Sequence, residues 1–277
     1  MKNNVFRLLR CPVCKAELLQ DDLQKSCRCE GVKPHSFDFA RSGYLNLAGG
    51  RAGEGDLKNA VLARRAFLDA GYYQCLSNKI NEILDTVPSD LVLDAGCGEG
   101  YYTNRMGNGE RAVFGVDLSR AGIDAAAKSA KQNATGVSFA VASIFSLPVG
   151  DTACDAVTNL FAPCCESEFS RVLKNGGYLV LVGAGERHLM GLKEVLYENP
   201  YLNPGRADLP TKMKEIERRR LTYTITVEGE EAIEALFSMT PYYWRTSESD
   251  HAKLKNLQTL TTQVDFDIFV YQKGEEQ

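Results

Sequence analysis

The chain has 277 residues, of which 44% are hydrophobic and 25% are charged, and its formal net charge is −4. These values are ordinary for a soluble globular protein and leave room for one large and one small domain. No apolar run reaches the length of a membrane span, and the first residues lack the apolar core of a signal peptide, so we expect a cytoplasmic protein without a membrane partner.

Positive charge is concentrated at the amino terminus. Residues 1–51 contain nine Lys and Arg against five Asp and Glu, whereas the remainder of the chain has an excess of acidic residues. A negative net charge argues against a nucleic-acid partner, but a basic segment within an acidic chain is typical of a nucleic-acid-binding module. A small domain that is basic by chance is the alternative interpretation.

Four of the nine cysteines lie close together near the amino terminus, which favours metal binding over disulfides. Cys11 and Cys14 form a C-x2-C knuckle. Cys27, Cys29 and His35 follow after a gap typical of the two halves of a zinc ribbon. Thiolates and imidazole suit zinc, and a segment this short needs such a staple to fold. Reduced cysteines without a metal are the alternative.

Five candidate ligands compete for the four positions of a zinc site. We predict Cys11, Cys14 and His35 as ligands. For the remaining position we favour Cys27, because an alternating strand entering the knuckle would deliver it, and Cys29 is the alternative. Four protein ligands leave no open position for water, so the zinc is expected to be structural.

A Gly-rich polar segment separates the small module from the rest of the chain. Residues 36–47 mix apolar residues with turn formers and close the module, and the glycines that follow are typical of a flexible linker. We therefore predict a zinc-binding module at residues 1–48, a linker at 49–58 and a second domain at 59–277.

A short apolar run at residues 91–95 suits a buried parallel strand, and Asp94 lies near its end. Gly96, Gly98 and Gly100 then permit a tight strand-to-helix turn whose backbone approaches a ligand closely. The dinucleotide fingerprint G-x-G-x-x-G requires its third glycine one residue later, which counts against NAD. The pattern D-x-G-x-G-x-G instead resembles motif I of class I S-adenosylmethionine-dependent methyltransferases.

The next predicted strand ends in an acidic residue. Residues 112–116 form an apolar run that ends at Asp117, about twenty residues after the first glycine. A carboxylate in this position can accept hydrogen bonds from both ribose hydroxyls of a nucleoside cofactor. The glycine turn and the acidic strand end reinforce each other, and a Gly-rich turn in some other doubly wound protein is the alternative.

The remaining pattern alternates strands and helices, which indicates a parallel sheet. The other predicted helices are 59–69, 74–85, 121–132, 166–173, 187–197 and 230–239, and the other predicted strands are 137–142, 154–161, 178–182, 221–227 and 264–271. The charged stretch at residues 212–220 could contact phosphate, but its mixed charges favour a solvated face.

Two of these strand ends carry residues that bear on the chemistry. Ser143 follows the strand at 137–142, where methyltransferases often place an Asp that contacts adenine. Pro163 and Cys164 follow the strand at 154–161, on the loop that faces the methyl acceptor in this class. A Pro-Cys pair is also found in cytosine-C5 methyltransferases, where a thiolate attacks the base. That alternative lacks the Thr-Cys pair expected after the next strand.

Taken together, the chain resembles, over nearly its whole length, the zinc-containing 23S ribosomal RNA guanine-N1 methyltransferases. The motifs that carry the resemblance are Cys-Pro-x-Cys at 11–14, His-x-Phe-Asp at 35–38, Gly-Tyr-Leu-Asn-Leu at 43–47, Arg-Arg-Ala-Phe-Leu-Asp-Ala-Gly-Tyr-Tyr at 64–73, Gly-Cys-Gly-Glu-Gly-Tyr-Tyr-Thr at 96–103, Ala-Pro-Cys at 162–164, Arg-His-Leu-Met at 187–190 and Met-Thr-Pro at 239–241. The resemblance implies a class I methyltransferase fold: an α/β, Rossmann-like domain with a mostly parallel seven-stranded sheet, preceded by a small zinc-ribbon domain that recognises RNA.

The resemblance also implies functional residues. Cofactor contacts carried over from the family are Tyr73, Gly98, Glu99 and His188. With the motif I and ribose positions added, the predicted site for S-adenosyl-L-methionine comprises Tyr73, Asp94, Gly96, Gly98, Glu99, Gly100, Asp117 and His188. The implied zinc ligands are Cys11, Cys14, His35 and one of Cys27 and Cys29.

The function implied by the resemblance is transfer of a methyl group from S-adenosyl-L-methionine to N1 of a guanine in a hairpin loop of 23S ribosomal RNA, by a homodimeric enzyme. N1 lies on the Watson–Crick edge, so the base must be unpaired or flipped into the site. The alternatives are a methyltransferase for a small molecule or for another RNA position, and a noncatalytic RNA-binding protein that keeps a relic cofactor fold.

Overall fold

The computed structural model of the chain describes residues 3–21, 25–49, 58–107, 109 and 111–275. Its elements in chain order are α1 (Asn3–Phe6), β1 (Leu18–Gln20), β2 (Ser26–Cys29), β3 (Ser36–Asp38), β4 (Leu45–Asn46), α2 (Lys58–Asp69), α3 (Gln74–Asp85), β5 (Leu91–Ala95), α4 (Tyr101–Met106), β6 (Ala112–Asp117), α5 (Arg120–Gln132), β7 (Ser138–Val141), β8 (Cys154–Leu160), α6 (Glu166–Val172), β9 (Leu173–Ala184), α7 (Met190–Leu196), β10 (Lys214–Glu228), α8 (Glu230–Ser238), α9 (Glu248–His251), a 3-10 turn (Ala252–Leu254) and β11 (Thr259–Gln272). Strands β1, β2 and β3 form a small antiparallel sheet in the amino-terminal module.

The large sheet has the strand order β10-β11-β9-β8-β5-β6-β7-β4. Strand β11 runs antiparallel to both of its neighbours, and the strands from β9 to β4 are parallel to one another. Strands β5, β6 and β8 are almost continuously buried, as expected where helices cover both faces of a parallel sheet, and β5 and β6 are mostly apolar. The predicted α/β, mostly parallel architecture is confirmed.

The large sheet has eight strands rather than the seven predicted because the amino-terminal module contributes β4. Leu45 and Asn46 pair in parallel with Ala140 and Val141 of β7. The Leu47 N–H extends this ladder by donating to Val141 O (2.8 Å). The added strand covers the edge of β7, which would otherwise expose unpaired backbone groups.

The amino-terminal module shares a hydrophobic core with the large sheet. Val5, Phe6 and Leu9 are buried in the same cluster as Leu93 of β5 and Phe114 of β6. Because burial of apolar surface is the main favourable term in folding, this shared core makes the stability of each part depend on the other. The module is therefore packed onto the sheet rather than merely tethered to it.

Backbone hydrogen bonds also tie the module to the segment after β7. The Arg10 N–H donates to Pro148 O (3.0 Å), and the Gly150 N–H donates to Leu8 O (2.9 Å). The predicted linker at 49–58 falls almost entirely outside the described residues. The predicted division of the chain into two domains accordingly stays a prediction.

The first half of strand β10 belongs to the charged stretch at residues 212–220, for which the sequence pattern favours a solvated face. The strand pairs with β11 along its length. The Arg218 guanidinium lies 4.7 Å from the centroid of the Phe269 ring, and Arg220 forms a salt bridge with Asp265. Long charged side chains can cover an apolar sheet face while their charges stay in solvent, and edge strands often carry them. For this reason residues 214–220 lack the apolar alternation that the rest of the strand shows.

The helices of the described residues are short. The longest, α5, has 13 residues, and no described helix combines the length and apolar character needed to cross a bilayer. The start of α5 is fixed by Ser119, whose Oγ accepts a hydrogen bond from the Gly122 N–H (3.1 Å), an arrangement typical of helix N-caps.

The carboxyl ends of the parallel strands define the ligand-binding edge of the sheet. Strand β5 has β6 on one side and β8 on the other, so the order of the strands reverses at β5. In open α/β sheets, ligands bind outside the carboxyl ends of the strands at such a switch point. The glycine loop that follows β5 lies at this position.

We expect Leu9→Ala to destabilise the whole fold rather than the module alone. Leu9 is fully buried in the shared core, and Leu-to-Ala changes in cores cost about 2–5 kcal/mol. The measurement is urea unfolding followed by the helical circular dichroism signal, because the described helices other than the four residues of α1 lie within residues 58–254.

The matched control is Leu19→Ala in β1, where the side chain is 46% exposed. This change should alter the free energy of unfolding by about 0.5 kcal/mol or less. If the helical transition were the same in Leu9→Ala as in the unmodified chain, the module would be shown to unfold independently of the sheet.

Candidate active site and metal centre

The loop between β5 and α4 is shaped by glycines in the left-handed region. Gly96 and Gly100 have φ angles of +88° and +77°. A Cβ on Gly96 would lie 2.4 Å from Ala162 Cβ, and a Cβ on Gly100 would lie 2.6 Å from Ala126 Cβ, so neither position can carry a side chain. At Gly98 the nearest described atom to such a Cβ is 3.8 Å away. The loop is thus packed at two glycines and open at the third.

Asp94 lies beneath this loop and connects three elements. It is 2% exposed, and its Oδ2 and Oδ1 accept hydrogen bonds from the hydroxyls of Thr103 in α4 (2.6 Å) and Thr158 in β8 (2.7 Å). Burial raises the pKa of Asp94 to about 6, and the two hydroxyl bonds oppose this shift. Through these two bonds Asp94 positions the loop, and its predicted contact with the cofactor stays a prediction.

Asp117 ends β6 and holds the loop from its other side. Its Oδ2 accepts a hydrogen bond from the Gly98 N–H (3.0 Å), and its Oδ1 accepts one from the Ser119 N–H (2.7 Å). The side chain is partly exposed at the carboxyl edge, and each carboxylate oxygen can accept a further hydrogen bond. This position suits the predicted contact with ribose hydroxyls.

Glu99 follows the open glycine and is buried, with 6% of its surface exposed. Its Oε2 lies 3.6 Å from Nη1 of Arg64, which belongs to helix α2. Burial raises the pKa of Glu99, and the neighbouring Arg64 charge opposes that shift. A pair of arginines on a helix either faces substrate or is solvated, and the tertiary fold brings Arg64 of α2 to this loop.

Tyr73 and His188 form a buried pair from elements far apart in sequence. The His188 Nδ1 accepts a hydrogen bond from the Asp265 N–H (3.2 Å), and burial lowers the pKa of His188 to about 4. A neutral ring with Nδ1 as acceptor carries its proton on Nε2, which therefore donates to the Tyr73 hydroxyl oxygen (3.3 Å). The Tyr73 hydroxyl can therefore donate its own hydrogen to a different acceptor.

These features fit S-adenosyl-L-methionine. The open glycine permits close approach of a ligand to the backbone, and Asp117 stands at the strand end that suits ribose. Within the described part of the chain, the Tyr102 hydroxyl is buried without a hydrogen-bond partner, and its neighbours include Tyr73 and Glu99. A buried hydroxyl of this kind is suited to bind a polar ligand group.

The loop after β8 is held by a residue that the sequence pattern did not reveal. Arg206 donates from Nη2 to Asn159 Oδ1 and to Ala162 O (both 2.7 Å), and from Nη1 to Val182 O (2.9 Å). Its side chain is only 9% exposed. Arg206 therefore fixes the carboxyl ends of β8 and β9 and the loop that faces the acceptor. No local signal marks it, because its three partners are distant in sequence.

Cys164 does not have the environment of a nucleophile. Burial is the main cause that raises the pKa of its thiol to about 11, so the thiol is protonated at neutral pH. Nucleophilic cysteines are instead activated by lowered pKa values. The raised pKa of this thiol therefore argues against the cytosine-C5 alternative.

The metal-ligand candidates converge at one point of the amino-terminal module. Among the described residues, the ligand atoms of Cys11, Cys14, Cys29 and His35 all lie within 4.8 Å of one another. The separations are 3.5 Å between the sulfurs of Cys14 and Cys29 and 3.6 Å between Cys11 Sγ and His35 Nδ1. A tetrahedral zinc site requires ligand separations of about 3.5–3.8 Å, so three thiolates and an imidazole nitrogen fit this ion.

The structure brings Cys29 into this cluster in place of Cys27, the ligand we predicted. Both side chains are buried on one face of β2, because they are two residues apart, but only Cys29 lies at the end of the strand next to His35. The His35 N–H donates to Cys29 Sγ (3.1 Å) and lowers the pKa of that thiol to about 6, which favours the metal-binding thiolate. Burial instead raises the pKa of Cys27 to about 12.

Zinc content should distinguish the two cysteines. We expect Cys29→Ser to lose stoichiometric zinc because one of four ligands is removed. Cys27→Ser, a matched control in the same strand, should keep zinc because the Cys27 side chain only packs in the core. The measurement is metal content per chain of each purified variant by atomic absorption. Loss of zinc from Cys27→Ser alone would reverse the assignment.

The buried Asp94 makes a pH-dependent prediction. Thr158→Val should destabilise the fold by about 1.5–3 kcal/mol, because it removes a donor from a buried carboxylate. In the folded protein the pKa of Asp94 is about 6, which is above its ordinary value of 3.8. Ionising the buried carboxyl group therefore costs free energy, and the stability of the fold falls as pH rises from 3.8 to about 6. The destabilisation should therefore be larger above pH 6 than below it.

Urea unfolding of Thr158→Val on either side of this pH tests the prediction. The control is Thr226→Val, whose exposed hydroxyl lies 3.3 Å from the exposed Thr261 hydroxyl. Equal destabilisation of Thr158→Val at both pH values would show that the ionised Asp94 is not the group that responds.

Two family models match the chain. Residues 9–48 match the zinc-ribbon model described as "RlmA, N-terminal", and residues 93–181 match the model described as "Methyltransferase domain". The first range contains the cysteine and histidine cluster, and the second contains the glycine loop and Asp117. The matches therefore fall on the two sites that the geometry identifies.

Several relatives match most of the chain. A protein of Bacillus subtilis strain 168 has a name that places it among the 23S rRNA (guanine-N(1)-)-methyltransferases. It is 31% identical over an alignment of 289 positions, and the alignment covers 99% of this chain and 100% of that protein. The 23S rRNA (guanine(748)-N(1))-methyltransferase of Streptomyces fradiae is 34% identical over 204 residues, which cover 71% of this chain and 70% of that protein. A relative from Micromonospora griseorubida with a similar name is 31% identical, with 86% of this chain and 87% of that protein covered. With this similarity along its whole length, the chain belongs to the family of 23S rRNA guanine-N1 methyltransferases.

Proposed function

We propose that this chain transfers a methyl group from S-adenosyl-L-methionine to N1 of a guanine in 23S ribosomal RNA. The observation that carries the proposal is the end-to-end similarity to relatives named for this activity, which includes both the zinc module and the methyltransferase part. The geometry supports it independently, because one chain holds a cofactor edge and a zinc-ligand cluster.

The residues at the carboxyl edge of the sheet bind or position different parts of the cofactor. Bound S-adenosyl-L-methionine supplies an electrophilic methyl group on a sulfonium. Asp117 is placed for the ribose hydroxyls, and the Tyr73 hydroxyl, oriented by His188, is placed to donate a hydrogen bond to an anionic or carbonyl oxygen. Asp94 acts from beneath by fixing the loop through Thr103. Holding donor and acceptor in line then provides much of the catalysis.

The acceptor atom imposes two requirements on the site. N1 of guanine is on the Watson–Crick edge, so the base must leave any pair before it can enter. It also carries a proton at neutral pH, which must be lost as the methyl group is transferred. We propose a hairpin loop as the substrate, because unpaired loop bases can be splayed out at lower cost than paired ones.

The zinc module is proposed to hold the RNA beside the cofactor edge. Its four protein ligands leave no open coordination position, so the metal is structural. The module carries the basic excess of the chain, which suits the phosphate backbone. Lys15 Nζ in the knuckle lies 3.4 Å from the Ser146 hydroxyl, so the module contacts the loop that leaves the carboxyl end of β7.

We also propose that the enzyme is a homodimer. Tyr201 and Leu202 are 51% and 52% exposed and adjacent, which supplies apolar surface suited to a protein contact. In this proposal the residues at 1–48 act as the RNA-recognition module and those at 59–277 as the catalytic domain of each subunit.

Methyl transfer from labelled cofactor to unmodified large-subunit RNA, followed by nucleoside analysis, tests the function. We expect 1-methylguanosine in the RNA. The control is Asp117→Ala, which should lose most incorporation because the proposed ribose contact is removed.

The other products of this assay contradict the proposal in different ways. A 5-methylcytosine product would restore Cys164 as a nucleophile despite its raised pKa. If no label entered RNA while the purified protein still bound the cofactor, the acceptor would be a small molecule or the protein would be noncatalytic.

A further inference from the structure

Phe161, the first residue after β8, has an unusual backbone. Its φ is +56°, in the left-handed region where a bulky residue other than glycine is strained. The backbone is nevertheless held, because the Phe161 N–H donates to Val182 O (3.0 Å). The side chain is 46% exposed at the carboxyl edge. Neither packing in the core nor the turn itself explains why a large aromatic residue occupies this position.

The ring of Phe161 continues a series of aromatic contacts that begins at the cofactor residues. Its centroid lies 5.7 Å from that of Phe266, which is fully buried. Phe266 in turn lies 5.0 Å from the Tyr73 ring and 4.9 Å from the His188 ring. Tyr102, whose hydroxyl faces the same site, lies 6.4 Å from the Phe161 ring. One side of the ring therefore packs toward the cofactor site while the remainder stays exposed.

The loop that carries the ring is fixed from behind. Arg206 holds Asn159 on one side of Phe161 and Ala162 on the other, with both donor–acceptor distances at 2.7 Å. The ring is thus presented on a rigid support rather than on a loose loop. A rigid, exposed aromatic surface beside a cofactor site has the properties that stack an unpaired base.

We propose that the exposed face of Phe161 stacks on the target guanine and presents its N1 to the methyl group. This inference rests on the proposed function and adds to it an acceptor-binding residue. Strained backbone conformations persist where the surrounding structure enforces them, and they cluster at functional sites. Here the bonds to Val182 and Arg206 enforce the conformation, and the result is an aromatic ring that stays 46% exposed beside the end of β8.

Two substitutions of Phe161 distinguish base stacking by the ring from a general need for an apolar side chain at this position. Phe161→Tyr keeps the aromatic face, and Phe161→Leu keeps apolar volume but removes that face. We expect kcat/KM for the RNA to fall about 5- to 150-fold in Phe161→Leu, the range for loss of one base–aromatic stack, and to change by less than about 3-fold in Phe161→Tyr. The Kd for S-adenosyl-L-methionine, measured by calorimetry without RNA, should be the same in all three proteins.

The outcomes distinguish this inference from the function on which it rests. If the unmodified enzyme produces 1-methylguanosine while Phe161→Leu retains its kcat/KM, the stacking role is wrong and the function stands. A weaker cofactor Kd in Phe161→Leu that accounts for the whole loss would assign the ring to the cofactor site and overturn the inference. Absence of 1-methylguanosine from the unmodified enzyme would instead overturn the function itself.

Discussion

One buried carboxylate organises the ligand edge of this fold. Asp94 lies at the switch point of the sheet, and its two hydroxyl partners, Thr103 and Thr158, belong to the elements that carry the glycine loop and the acceptor loop. Burying a carboxylate is unfavourable and raises its pKa, and the two donated hydrogen bonds offset part of that cost. The cofactor side and the acceptor side of the site consequently share one fixed point.

The parts of the fold that could be predicted from sequence are those with a local physical cause. Buried parallel strands are continuous apolar runs, and left-handed turns under close packing require glycine, so the sheet and the loop at 96–100 could be identified. The choice of Cys29 over Cys27 and the role of Arg206 could not be predicted, because both depend on distances that arise only after folding. Cys27 and Cys29 lie on one face of the same strand, and no pattern of alternation distinguishes them. Strand β4 was missed for a similar reason, since two residues have no period.

Integration of the zinc module into the large sheet has a functional consequence. A module tethered only by a flexible linker would sample many positions, and ordering it on a substrate would cost conformational entropy. Here β4 pairs with β7, and the Arg10 N–H donates to Pro148 O in the segment after β7. The distance from the zinc-ligand cluster to the large sheet is therefore set before any RNA binds. A preorganised surface of this kind reduces the cost of binding.

The amino-terminal part of the chain is basic and the remainder is acidic, and each charge suits a different ligand. The cofactor carries a positive sulfonium, which is compatible with the acidic Glu99 and Asp117 and with a His188 that burial keeps neutral, since an imidazolium there would repel it. The same acidic excess in the larger part of the chain disfavours a polyanionic RNA. In the function proposed above, attraction for RNA is supplied by the basic excess of residues 1–51, a segment whose Lys15 contacts Ser146 on the loop after β7. Separate placement of the two charges allows one chain to bind a cationic cofactor and an anionic substrate side by side.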